Sequence, residues 1–365
     1  MKLNTLYKIA LLLFLIPSFA LANSDQDFVK SSKEKHIKKS FNVSSDTTLK
    51  VNNSFGNIDV ITWEENRIEF DITIKVSGND AEKIQDKING INIDFSSSKD
   101  LVSAITTINK TKSNWWNWGR NNSIQIEINY VIKIPISNHV DLNNDYGSIN
   151  LDRLNGVAKI SCDYGKITTK ELMADNNDIR FDYSSNCYFE YIKSGEITAD
   201  YSGFTVSKTK YLNINADYTE SIIEAAEHVN YNCDYGSLKV DNVNNLEGNG
   251  DYLTLRLGNV FKNVKIKADY GSIKIDRMAS KAKNINIQSD FTGITIGHDS
   301  EYNFNFNIDL EFASLRESEG FNFTKKENDN IEKQYEGYYG VQNSGNTVSI
   351  NSEYGSVTFQ NIKLQ

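Results

Sequence analysis

The chain has 365 residues, a formal net charge of −9 and only two prolines, Pro17 and Pro135. An acidic balance argues against nucleic acid and anionic lipid as partners of the whole surface. With so few prolines, almost every backbone amide is available to a sheet ladder.

Residues 1–22 have the form of a secretory signal peptide. Lys2 and Lys8 flank an apolar run, Ile9 to Ile16, and Ala20-Leu21-Ala22 offers small residues at the cleavage position. The run is too short to span a bilayer, and no later run approaches the length of a membrane helix. Asn23 rather than a cysteine follows the cleavage position, which argues against lipid attachment. The expectation is an exported, soluble chain, in the periplasm or at the cell surface. Residues 23–40 follow as a polar leader. Its basic stretch KSSKEKHIKK, residues 30–39, is expected to be solvated, with an anionic partner as the alternative.

Residues 41–135 predict a β-rich N-terminal cap. VNNSFGNIDVITW, from Val51 to Trp63, contains one repeat-like unit around Phe55, and IEFDITIKVSG continues as a long alternating strand. NDAEKIQDKING then places Ala81, Ile84 and Ile88 at helical spacing, with Gly90 as a stop. INIDFSS, LVSAITTI and SIQIEINYVIKIPI supply further strands. Between the last two lies NWWNWGRNN, residues 114–122. Trp115, Trp116 and Trp118, beside Arg120, form the candidate binding site, since large exposed apolar side chains tend to mark interaction surfaces. Packing against the cap and contact with a membrane are the alternatives.

From residue 136 to 317 the chain repeats itself. Aromatic residues recur at Tyr146, Tyr164, Tyr183, Tyr201, Tyr218, Tyr235, Tyr252, Tyr270, Phe291 and Phe312, at spacings of 17 to 21. Asp precedes the aromatic in nine consecutive copies, Asp145 through Asp290. An apolar residue stands four before the aromatic, as at Ile160, Ile179 and Ile214, and pairs such as Leu238/Val240 and Ile273/Ile275 follow it. Alternation with period two marks a strand with one buried face. The inward phase switches across Tyr-Gly-Ser, so a corner lies there, with glycine expected to supply its backbone freedom. No single coil buries its own apolar face, whereas stacked coils do. The predicted fold is therefore all-β, a single-stranded parallel β-solenoid of 17–21-residue coils, with a β-sandwich as its rival. The aromatic residues from Tyr164 to Tyr270 are expected to stack in one column.

The aspartates point outward by parity, so like charges face one another at strand spacing. Their expected role is to accept backbone N–H groups across the following Gly-Ser turn. Calcium between Asp163, Asp182, Asp200, Asp217 and Asp234 is the lesser reading, because single carboxylates supply few of the oxygens that calcium needs. Cys162 and Cys233 share one repeat position four coils apart, too far for a disulfide. Both fit as small core residues, while Cys187 falls at a nominally outward position. Residues 318–365 carry a polar insertion and then a final coil, SINSEYGSVTF, expected to close the far end.

HIKKSFNV, LKVNNSFGNIDVITW, NYVIKIP and VDLNNDYGSINLDRLNGVAKISCDYGKI resemble the exported bacterial family known as domain of unknown function 4097, whose members often carry the label adhesin. The resemblance covers most of the chain. It implies a right-handed β-helix-like fold and an envelope location, and it brings no family active site. The Tyr-rich corners and the insertion at residues 318–343 depart from the family's plainer pattern.

Catalytic motifs are scarce. His36, His139, His228 and His298 lie far apart without a metal-binding spacing. The expected function is non-enzymatic: an adhesin-like or envelope-associated scaffold binding a glycan or a surface protein, with no cofactor, metal or nucleic acid. A polysaccharide-active β-helix lyase or hydrolase is the alternative, and an envelope stress sensor acting through protein contacts is a further one.

Overall fold

The computed structural model describes residues 31–109 and 124–362. The expected signal peptide and residues 114–122, including Trp115, Trp116, Trp118 and Arg120, lie outside the described residues. Within them the chain is almost all β, with one helix, and its strands join in one sheet.

Strict alternation forms these strands. Arg67–Gly78 buries every second residue from Ile68 to Gly78, and Thr347–Glu353 does the same with Val348, Ile350 and Ser352. Burying each such Val or Ile stabilises the fold by roughly 1.5–3 kcal/mol relative to exposure.

Pairing sorts the strands into two ladders that meet at the Asp-aromatic corner. In the first, Thr48–Ser54, His139–Asp145, Ala158–Asp163 and Asn177–Asp182 pair parallel in that order. The ladder then runs through the second halves of Cys187–Asp200, Gly203–Asp217, Glu220–Asp234, Ser237–Asp251 and Thr254–Asp269 to Ile285–Asp290. The second ladder takes Ile58–Trp63, Ser148–Leu151 and Lys166–Leu172, the first halves of the same long strands, then Ser272–Met278 and Gly293–Asp299. Partners lie one repeat apart: Asp200 is opposite Asp217, and Asp217 opposite Asp234. Inward residues of both ladders, such as Ile197 and Ile214 from one and Val206 and Ile223 from the other, share one core.

At the N-terminal end the pairing turns partly antiparallel. Ser31–Asn42 pairs with Arg67–Gly78, which pairs with Gln125–Pro135. The basic stretch expected as a solvated leader is, from Ser31 onward, an edge strand. Most of its residues are exposed, as its polarity implies, and lysines on an edge deter pairing with another chain. Helix α1, Ala81–Asn89, forms where the spacing predicts it. Asp80 caps it by accepting the Glu82 and Lys83 amides, and Ile84 and Ile88 are buried where it packs on Ser31–Asn42 and Arg67–Gly78.

The C-terminal end departs from a simple succession of repeats. Thr347–Glu353 lies between Ile285–Asp290 and Phe304–Glu311, pairing parallel with both. Ser356–Ile362 likewise lies between Gly293–Asp299 and Ser314–Arg316. The polar insertion forms an antiparallel hairpin, Phe321–Asn328 with Glu332–Tyr339, laid along Phe304–Glu311. It pairs the edge that this strand would otherwise leave open. Phe306 meets Phe321 and Phe323 there, at ring centroids of 4.7 and 5.6 Å.

Candidate functional site

One feature runs the length of the molecule on its outside. Phe55, Tyr146, Tyr164, Tyr183, Tyr201, Tyr218, Tyr235, Tyr252, Tyr270, Phe291, Tyr354 and Phe312 stack in that spatial order. Neighbouring rings are parallel within 9°, with centroids 4.6–5.4 Å apart. The column expected over Tyr164–Tyr270 is present and extends to both ends. The displaced order of Tyr354 follows from the insertion of Thr347–Glu353 between earlier strands. Each of these residues is between 41% and 55% exposed. Stacked in this way, the rings turn their faces to one another along the column and their edges to solvent. Among the described residues, none of the nine tyrosine hydroxyls in the column has a hydrogen-bonding protein partner.

The corner corrects the expected role of glycine. All twelve column residues have positive φ, from 49° at Phe291 to 65° at Phe55. Among the described residues the positive-φ glycines are Gly320, Gly340 and Gly345, none of which follows a column aromatic. A left-handed conformation costs an L-residue roughly 1–2 kcal/mol, and a stacked aromatic pair returns roughly 0.5–1.5 kcal/mol. Glycine after the aromatic answers a different need, close approach: a Cβ built on Gly236 would stand 2.3 Å from the Thr219 carbonyl oxygen. Where a hydroxyl residue replaces glycine, it joins the backbone. Thr219 Oγ1 donates to the Ala199 and Asp217 carbonyls and accepts the Ser202 amide.

Beside the rings runs a column of carboxylates. Asp163, Asp182, Asp200, Asp217 and Asp234 each accept, through Oδ1, the backbone amide of the next aspartate at 2.7–3.2 Å, and Asp269 does so for Asp290. The acceptor role is as expected, but the donor is the neighbouring repeat and not the Gly-Ser turn, because the carboxylate leans along the stack. Glu353 and Glu311 extend the column. Ion pairs elsewhere use Asp141, Asp152, Asp276 and Asp299. No carboxylate of the column joins one among the described residues. Burial and the charges of Asp269 and Asp234 push the Asp251 carboxyl above its ordinary range. Asp290, then burial and Glu311, do the same to Glu353.

The five aspartates weighed as calcium ligands are thus in one row, each with an oxygen engaged by an amide. Among the described residues no three ligating side chains gather around one point. All three cysteines are buried and unpaired. Cys187 is turned into the core, where its sulfur accepts the Ile167 amide, because the inward phase is reset at the irregular copy after Tyr183. Burial pushes the Cys162 and Cys233 thiols up to about 12, which keeps them protonated and unreactive. The four histidines have separate partners: His36 bonds Thr73, His139 accepts the Val157 amide, His228 meets Asn245 and His298 is buried against Asp299.

The tryptophan site lies outside the described residues, but the chain resumes at Ile124 in a recess it shares with Phe55, Asn57, Lys75, Glu127 and Tyr146. The column itself was legible as a repeat; that its ring edges face solvent was not, since inward and outward phases change at the corner.

No family model matches the chain, and no curated protein matches it. Solved structures do. A putative adhesin from Parabacteroides merdae aligns over 90% of this chain and 97% of its own, at 12% identity and a TM-score of 0.35. A second putative adhesin, from Parabacteroides distasonis, covers 72% of this chain and 92% of its own, at 10% identity and a TM-score of 0.32. A putative cell adhesion protein from Clostridium sporogenes covers 90% and 100%, at 12% identity and a TM-score of 0.17.

Proposed function

We propose that the chain is a parallel β-solenoid, exported to the bacterial envelope, that acts as a non-enzymatic binding scaffold. Parallel pairing at one-repeat offsets in both ladders supports the solenoid. The leader sequence of residues 1–22 supports export. In this reading residues 41–135 are the cap, 136–317 the coils, and 318–365 the insertion and final coil.

The observation that carries the binding role is the exposed aromatic column. Twelve consecutive corners hold a ring on a left-handed backbone, a place where glycine or asparagine is easier. The rings are outside the core, so core packing does not account for them. Exposed aromatic area of this extent is the kind that marks an interaction surface. Trp115, Trp116, Trp118 and Arg120 stand in this proposal as a second binding element, on their aromatic and basic composition alone. Partners are a glycan or an envelope protein.

Co-sedimentation of the full-length protein with envelope and polysaccharide fractions tests this. The comparison is a Tyr201→Asn/Tyr218→Asn/Tyr235→Asn variant, since asparagine tolerates the left-handed corner. Binding by the wild type that the variant loses, with matching circular dichroism, supports the proposal. Undiminished binding by the variant removes the column from it. Release of oligosaccharide by the purified protein would move the reading to a polysaccharide-active enzyme.

A further inference from the structure

We infer that the partner of the aromatic column is a linear amino-sugar polymer, with one cationic pyranose unit seated on each of the repeats around Asp217, Asp234 and Asp251. This rests on the reading of the column as the recognition surface and adds the chemistry of what it recognises.

Three rows of different chemistry run side by side over the repeats that end at Asp217, Asp234 and Asp251. The first is the row of rings, edge-on to solvent and, at nine positions, with a hydroxyl free of protein partners. The second is the row of carboxylates, none of them in an ion pair. The third comes from the strand leading into the corner, where alternation puts Asn213 and Asn215 on the same face as Asp217. Asn230 and Asn232 stand likewise before Asp234, and Asn249 before Asp251. Asn213, Asn230, Asn232 and Asn249 are exposed. Asn230 donates to Asn213 at 3.1 Å, which aligns the amides from repeat to repeat.

The phenol hydroxyls along the ring edges and the amide groups beside them both suit the hydroxyls of a pyranose. Neither distinguishes a neutral glycan from a charged one. The carboxylates do: an uninterrupted row of negative charge is complementary to a polymer with one ammonium per unit and repels an acidic one. Spacing separates the polysaccharide from a basic peptide. Rings recur every 4.6–5.4 Å, about the length of one pyranose unit, whereas side chains on one face of an extended peptide recur every ~6.6–6.8 Å.

The test is equilibrium binding of the full-length protein to a fluorescent hexamer of β-1,4-linked glucosamine. Its fully N-acetylated counterpart and a lysine hexamer serve as comparisons. A variant carrying Asp200→Asn, Asp217→Asn and Asp234→Asn keeps each Oδ1 acceptor for the next repeat's amide, and its thermal midpoint reports that the fold is kept. The glucosamine hexamer should bind, weaken as salt is raised, and bind the variant about tenfold less tightly, three exposed charge contacts each being worth a few-fold. Equal binding of the N-acetylated hexamer, sensitive to the tyrosine variant but not to the aspartate variant, overturns the cationic inference and leaves the column as a neutral-glycan surface. Binding of the lysine hexamer alone overturns it in favour of a basic peptide. Absence of binding to all three overturns it, and the envelope co-sedimentation then decides separately whether the column binds anything.

Discussion

Asp182 Oδ1 accepts the backbone amide of Asp200, its counterpart in the next repeat, at 3.1 Å. The side chain thus supplies an acceptor at the corner while holding a charge beside the ring of Tyr183. The two roles separate by substitution. Asp182→Asn keeps the acceptor and removes one member of a repelling row, so unfolding in urea should be unchanged or slightly harder. Asp182→Ala removes the acceptor and should cost about 1 kcal/mol. Equal losses in both variants would mean that the charge, and not the hydrogen bond, is what the fold uses.

Tyr235 has a φ of 52° and stacks on Tyr218 and Tyr252 at 4.9 and 4.8 Å. Both glycine and alanine remove the stacking, but only glycine removes the left-handed strain. Tyr235→Gly should therefore be more stable than Tyr235→Ala by about 1 kcal/mol, an inversion of the usual order in a strand. A thermal midpoint for the alanine variant at or above that of the glycine variant would contradict the strain.

Glycines of the repeat should differ sharply among themselves. Gly236→Ala puts a methyl group 2.3 Å from the Thr219 carbonyl, whereas nothing lies within 4 Å of the corresponding position at Gly293. The first substitution should cost roughly 1–3 kcal/mol through overpacking, and the second should be near neutral. Guanidinium unfolding of the two variants makes the comparison.

Acid should act in opposite directions at two carboxyls. Glu353 sits between Asp290 and Glu311, and their repulsion together with burial raises its pKa. The folded state then holds this proton more tightly than the unfolded chain does. Stability at this site is highest below the ordinary glutamate range and falls as pH rises through the raised value. Glu353→Gln should raise the thermal midpoint above that window and leave it unchanged below. Asp299 is the contrary case. The Arg277 guanidinium, bonded to both its oxygens at 2.6 and 2.8 Å, holds its carboxyl below the usual range. Its contribution is present above the ordinary aspartate value and is lost as pH falls through the lowered one, so Asp299→Asn should lower the midpoint at neutral pH.

Much of the architecture was open to reading from residue patterns alone. Period-two alternation, recurring at 17–21 residues, identified the strands, their buried faces and the aromatic corner. The spacing of Ile84 and Ile88 before Gly90 identified the helix. These are local properties, set by side-chain hydrophobicity along a few consecutive residues. The corner's conformation was not local. Its left-handed residue is the aromatic because rings from adjacent repeats stack there, while the glycine after it is required by the carbonyl of the preceding repeat. Nor does any local pattern place Thr347–Glu353 between Ile285–Asp290 and Phe304–Glu311, since either order satisfies the same alternation. Pairing between distant segments decided that, along with which edges the hairpin and the basic strand cover, because backbone groups at the end of a ladder must find partners or be shielded.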